Sequence, residues 1–164
     1  MFLALDMDEV ICGFKTAVET LGPRAAQGLV ELTGKEPTEA QKQGMYDAIE
    51  ACGEKFWSTL PWKIGGKQLW MLVKPYKPVL LTSPGLFKYA KSGKLLWVKK
   101  FIPGTPIFFS DEKSEYVDPY DKSILIDDNK TNISSWEDAG GIGILHTSYE
   151  ETKEKFLKIV SNNI

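Results

Sequence analysis

The stretch FLALDMDEV, residues Phe2–Val10, runs from apolar residues into three acids, Asp6, Asp8 and Glu9. A continuous apolar run, unlike one that alternates with polar residues, marks a strand covered on both faces, as in a parallel sheet packed between helices. Three more such runs follow, PVLLTS (78–83), PIFFSD (106–111) and SILIDD (123–128), and a fifth, GIGILH (141–146), comes after a glycine pair. Helical patterns lie between them. Phe87, Ala90, Lys94, Trp97, Val98 and Phe101 recur at helical spacing, with Gly93 expected to break that segment into a loop and a helix. Thr152, Phe156, Ile159 and Val160 form the stripe of a final helix, which a capping box of Ser148 and Glu151 should open. The alternation of strand and helix predicts an α/β fold: a doubly wound, Rossmann-like, mostly parallel sheet of about five strands with helices on both faces.

One interval departs from this rhythm. Between the first strand and PVLLTS lie about seventy residues with helical but no strand signals, punctuated by LGP, TGKEPT, ACG and IGG. This predicts a small helical cap inserted after the first strand, over residues 14–74, with the α/β core formed by 1–13 and 75–164. Aromatic residues are dense in and around the insertion: Phe14, Tyr46, Phe56, Trp57, Trp62 and Trp70. Packing of a small helical bundle accounts for most of them.

The ends of the predicted strands carry the chemistry. The first ends at Asp6, the second at Thr82 and Ser83, the third at Ser110 with Lys113 close behind, and the fourth at Asp127 and Asp128. In an open parallel sheet the ligand crevice lies beyond the carboxyl ends of the strands, so these clusters should meet at one rim. Five acids gathered there, Asp6, Asp8, Glu9, Asp127 and Asp128, repel one another unless a cation is held among them. Hard oxygen donors with no thiolate or histidine favour Mg2+, and Lys94, Lys113 and the hydroxyls of Thr82 and Ser83 would bind phosphoryl oxygens. Taken singly, each piece has a plain structural reading: a strand-end aspartate caps a turn, and TSP leads into a helix. Lys94 is less ordinary, since it falls on an apolar stripe. GGIG does not match the dinucleotide fingerprint and reads as a glycine turn entering a strand.

Composition narrows the partners. The 164 residues are 43% hydrophobic and 26% charged with a net charge of −2, ordinary values for a globular chain and poor ones for a nucleic-acid polymer as partner. Cys12, Cys52 and the single His146 have no metal-ligand spacing, so neither a disulfide framework nor a zinc site is implied. No secretory or membrane-spanning pattern is present, and NIS at Asn132 is read as a chance sequon; a cytoplasmic protein with no membrane partner is expected.

DMDEV, LLTSP, the lysine of SDEKS, and LIDD resemble the four signature motifs of the haloacid dehalogenase superfamily, in order and over nearly the whole chain. Within it the chain is most similar to the 5'(3')-deoxyribonucleotidases, through TSPGLFKYAKSGKLLWVKKF, FFSDEKS and SILIDDN. The resemblance implies that Asp6 attacks phosphorus to form an aspartyl-phosphate, while Asp8 protonates the leaving group and then activates water. It implies Mg2+ held by the carboxylate of Asp6, the backbone carbonyl of Asp8 and an acid of the fourth motif, Asp127 or Asp128. Thr82, Ser83, Lys94 and Lys113 would grip the phosphate, Phe14 would stack on the base, and Phe56 or Trp57 would either assist or simply pack the cap. Three residues depart from the pattern: Glu9 stands where a glycine is usual, and Asp111 and Asn129 stand where relatives often carry arginine. The function expected is therefore magnesium-dependent hydrolysis of nucleoside monophosphates, above all deoxyribonucleotides. The rivals are a phosphatase for another small phosphomonoester such as a sugar phosphate, a nucleotide-binding protein with little turnover, and an oligonucleotide-end phosphatase. The oligomeric state is left open, a homodimer included.

Overall fold

All five apolar runs become strands of one parallel sheet. The structure, a computed structural model, describes residues 1–29 and 35–161. In chain order the strands are β1 (Phe2–Leu5), β2 (Val79–Thr82), β3 (Ile107–Phe109), β4 (Ser123–Asp127) and β5 (Ile142–Leu145). The helices are α1 (Phe14–Thr20), α2 (Pro23–Ala26), α3 (Glu39–Cys52), α4 (Glu54–Ser58), α5 (Gly66–Val73), α6 (Ala90–Phe101), α7 (Lys130–Asp138) and α8 (Tyr149–Ser161). Among the described residues no helix is long and apolar enough to cross a membrane.

The chain divides into two compact units. One comprises Met1–Cys12, Trp62–Ser83 and Thr105–Ile164, and the other Gly13–Pro61 and Pro84–Gly104. This is not the division expected from the sequence, at 13/14 and 74/75. Helix α5 belongs with the sheet, where it packs against α8, and α6 belongs with the helices after β1, where it packs against α4.

In the sheet unit the strand order is β3-β2-β1-β4-β5, with every pairing parallel. Successive strands are laid down on one side of β1 and then on the other. The reversal between β1 and β4 is where such sheets open a crevice at their carboxyl edge. Every residue of β4 is buried, as a strand covered on both faces must be. On one face Ala4, Leu81 and Leu125 pack with Ile133 and Trp136 of α7. The buried Trp136 indole donates to the Ser123 carbonyl at 3.2 Å, so a large apolar surface is buried with its one polar atom satisfied. Helix α8 is capped by Ser148, whose Oγ accepts from the Glu151 amide at 3.2 Å. The other arm of the expected capping box is replaced, since the Glu151 carboxylate accepts from the Thr147 hydroxyl at 2.5 Å.

The helical unit has its own aromatic core. Helix α6 runs unbroken through Gly93, contrary to the expected break. A Cβ at Gly93 would lie 2.3 Å from Trp57 Cβ and 2.8 Å from the Glu54 carbonyl oxygen, so the glycine is what lets α6 lie against α4. One turn further along, the fully buried Trp97 donates from its indole to the Leu60 carbonyl at 2.9 Å.

Candidate active site

Register brings the acids together. Leu5 pairs with Ile126 and the Asp6 amide donates to the Ile126 carbonyl at 2.9 Å, so Asp6 emerges from β1 beside Asp127 at the end of β4. Between them lies Lys113, in a single 3-10 turn, Lys113–Tyr116, that follows β3. Its ammonium stands 2.9 Å from Asp6 Oδ1 and 2.6 Å from Asp127 Oδ2. All three groups are withdrawn from water, with residue exposures of 8% for Asp6, 4% for Lys113 and 0% for Asp127. Oxygens of Asp6, Asp127 and Asp128 lie within 4.8 Å of one another, and among the described residues this is the group of acids able to hold a metal ion. Its donors are all carboxylate oxygens, with no thiolate or imidazole, a set that fits a hard divalent cation such as Mg2+.

Electrostatics follows from this crowding. Burial alone would lower the Lys113 pKa, but the charges of Asp6 and Asp127 and its hydrogen bonds to them outweigh that and raise it, so Lys113 stays a cation. Asp127 is raised by burial and by the charge of Asp6, against the opposing pull of Lys113. The Asp128 side chain reaches solvent, yet one of its carboxylate oxygens lies within 4.8 Å of those of Asp6 and Asp127. Partial desolvation, then the charges of Asp6, Asp127 and Glu9, push its pKa up to about 7. A site that so resists its own negative charge favours a positive ligand.

Two asparagines complete the fourth strand end. Asn129 caps α7, accepting from the Thr131 amide at 2.8 Å and the Asn132 amide at 3.3 Å, while its own amide donates to Asp127 Oδ1 at 2.8 Å. An arginine, which has no acceptor, could not make this cap. Asn132 donates from Nδ2 to Asp127 Oδ2 at 3.0 Å and so fixes the carboxylate from the first turn of α7. Asn132 is not among the site residues expected from the sequence. The signal was available, because an asparagine N-cap at 129 sets Asn132 in the first helical turn, facing back to the strand end.

The remaining predicted residues fall as follows. Thr82 ends β2 and is buried, with its carbonyl accepting from the Ser110 amide at 3.2 Å. Ser83 donates its hydroxyl to Asp111 Oδ1, so the residue that departs from the expected arginine already engages this hydroxyl. Asp8, half-buried, lies in the tight turn after β1, and its carboxylate is not one of the three clustered acids. Glu9 has φ of 60°, in the left-handed region that favours glycine. A side chain there costs about 1–2 kcal/mol. Glu9 is nonetheless buried, and its carboxylate is ion-paired with Lys63.

Lys94, Phe14, Phe56 and Trp57 lie in the helical unit. Lys94 is fully buried, with Nζ 5.3 Å from the centre of the Trp57 ring. Phe56 and Trp57 are also buried, each edge-on to the other at 5.1 Å. Phe14 packs on both, at 5.8 Å and 5.7 Å, and Phe87 packs on Trp57 at 5.1 Å. Of the three candidate base-stacking rings only Phe14 is more than marginally exposed; the other two are packed as a core.

No protein-family profile and no curated protein sequence matches the chain. Among solved structures it is similar to a Thermotoga maritima protein provisionally assigned as a beta-phosphoglucomutase, with 15% identity and a TM-score of 0.49 over 100% of each chain. It is also similar to a hydrolase from Pseudomonas syringae, with 12% identity and a TM-score of 0.48 over 99% of each chain. Function is therefore read from the site itself.

Proposed function

We propose that the protein is a phosphomonoester hydrolase of the haloacid dehalogenase kind, acting on nucleoside monophosphates and above all deoxyribonucleotides. The observation that carries this reading is the pairing of one buried lysine with carboxylates from two adjacent strand ends, with a third carboxylate within 4.8 Å. In the proposed reaction an Asp6 carboxylate oxygen bonds to phosphorus as the ester P–O bond breaks, and the departing oxygen takes a proton from Asp8. Asp8, now a carboxylate, takes a proton from water. The water oxygen bonds to phosphorus, the bond from phosphorus to Asp6 breaks, and inorganic phosphate leaves. Lys113, 2.9 Å from Asp6 Oδ1, holds that carboxylate in place. Asp6, the Asp8 carbonyl and Asp127 or Asp128 would hold Mg2+, which when bound neutralises phosphoryl oxygens. Thr82 and Ser83 are assigned to the phosphate, as is Lys94, and Phe14 is assigned to the base.

Phosphate release from 5'- and 3'-deoxyribonucleoside monophosphates, ribonucleotides and sugar phosphates, with Mg2+ or with chelator, tests the reading. Release from nucleotides should require Mg2+ and vanish in Asp6→Asn. Preference for sugar phosphates would overturn the nucleotide assignment, and no release from any ester would overturn the enzyme.

One observation favours a second reading, a nucleotide-binding protein with little turnover: Asp111 places a carboxylate on the Ser83 hydroxyl. Such a protein would bind a monophosphate in calorimetry yet release no phosphate.

A further inference from the structure

The turn after β1 is clamped from a distant part of the chain. It is closed on itself by the Glu9 amide donating to the Cys12 carbonyl at 2.7 Å and the Cys12 amide donating to the Met7 carbonyl at 2.8 Å. The segment beginning at Trp62 then lies along it. Cys12 and Trp62 form an antiparallel bridge, and the Lys63 amide donates to the Ile11 carbonyl at 2.8 Å. Gly66 sits so close that a Cβ there would lie 2.7 Å from the Ile11 carbonyl oxygen. Across this seam the Lys63 ammonium reaches the buried Glu9 carboxylate.

Glu9 is an expensive choice at its position. Its backbone is left-handed, where glycine would be unstrained, and its carboxylate lies in the field of an already acidic rim, adding to the forces that raise Asp128. The Lys63 ammonium offsets the cost of burying a charge there. Backbone strain kept at a residue adjoining a reactive group points to function rather than stability.

We infer that the Glu9–Lys63 ion pair is a positioning device that locks the Met7–Cys12 turn and thereby fixes Asp8 for proton transfer. Neither residue touches the reacting atoms. Lys63 pulls on Glu9, and Glu9 is adjacent in the chain to Asp8, so the pair sets the orientation of the peptide that carries the acid. The catalytic part of this inference rests on the phosphatase reading above; the structural part does not.

The test combines amide hydrogen exchange of the full-length, metal-free protein with steady-state turnover of a deoxyribonucleoside monophosphate, in Lys63→Met and in Glu9→Gly. Glycine suits the left-handed backbone, so Glu9→Gly separates the ion pair from strain. Exchange at the amides of residues 9 and 12 should rise roughly tenfold in both variants. Turnover should fall about 10- to 100-fold in kcat with KM nearly unchanged, the loss expected of a misplaced acid. Unchanged exchange would overturn the proposal even if kcat fell, because the pair would then act through charge and not position. Faster exchange with full kcat would also overturn it, leaving a clamp of purely structural worth. If the wild type hydrolyses no ester, the phosphatase reading fails, and the exchange data alone decide whether the pair locks the turn.

Discussion

A single ammonium group, that of Lys113, stands between Asp6 and Asp127 and joins the two strand ends. Lys113→Met would leave two buried carboxylates facing each other without a counter-charge. The metal-free protein should lose about 3–5 kcal/mol in urea unfolding at pH 8, and turnover should fall about 10²- to 10³-fold. Asp111 acts in the opposite sense, because a phosphate bound as proposed would compete with its carboxylate for the Ser83 hydroxyl. Asp111→Asn should lower KM several-fold, with little change in kcat, in a substrate titration. Asp128 carries the pH dependence. Its pKa rises from 3.8 to about 7 in the fold, so between those values the metal-free folded chain holds a proton that the unfolded chain releases. Stability of the metal-free protein should therefore fall as pH rises from about 4 to about 7 and then level. A divalent cation held by Asp128 would have to displace that proton. Calorimetric affinity for Mg2+ should climb up to about tenfold per pH unit below pH 7 and flatten above it.

At the scale of elements, close packing decides what the sequence pattern left ambiguous. A glycine within a helical pattern signals either a break or a close approach, and Gly93 is the second, because the wall of Trp57 and Glu54 comes from a helix 35 to 39 residues earlier in the chain. Nothing local could reveal that wall. Gly93→Ala would improve helix propensity yet should destabilise the protein by about 1–3 kcal/mol or more, measured by thermal unfolding, because the new methyl meets backbone and Cβ atoms that cannot swing away. Asn129 and Glu9 make the same point at element ends. From the sequence each is a lost arginine or a lost glycine; in the fold one is the N-cap of α7 and the other is half of an ion pair with Lys63. An asparagine ahead of a helix is a local cap signal, whereas an ion pair spanning 54 positions leaves none.

At the scale of the molecule, the sheet was the most legible feature, since five apolar runs sufficed for five parallel strands and their ends located Asp6, Lys113, Asp127 and Asp128. The unit boundaries were less so, because α5 and α6 are allotted by which helix each touches, α8 or α4, and amphipathic patterns do not name their partners. What the whole arrangement is proposed to do is let Asp6 carry a phosphoryl group. The direct measurement is to quench turnover of a deoxyribonucleoside monophosphate with borohydride, which reduces an acyl phosphate to an alcohol, and to map the modified residue by mass spectrometry. Homoserine at position 6, dependent on substrate, is the predicted result. An unmodified chain under demonstrated turnover, or a modification at any other residue, would contradict it.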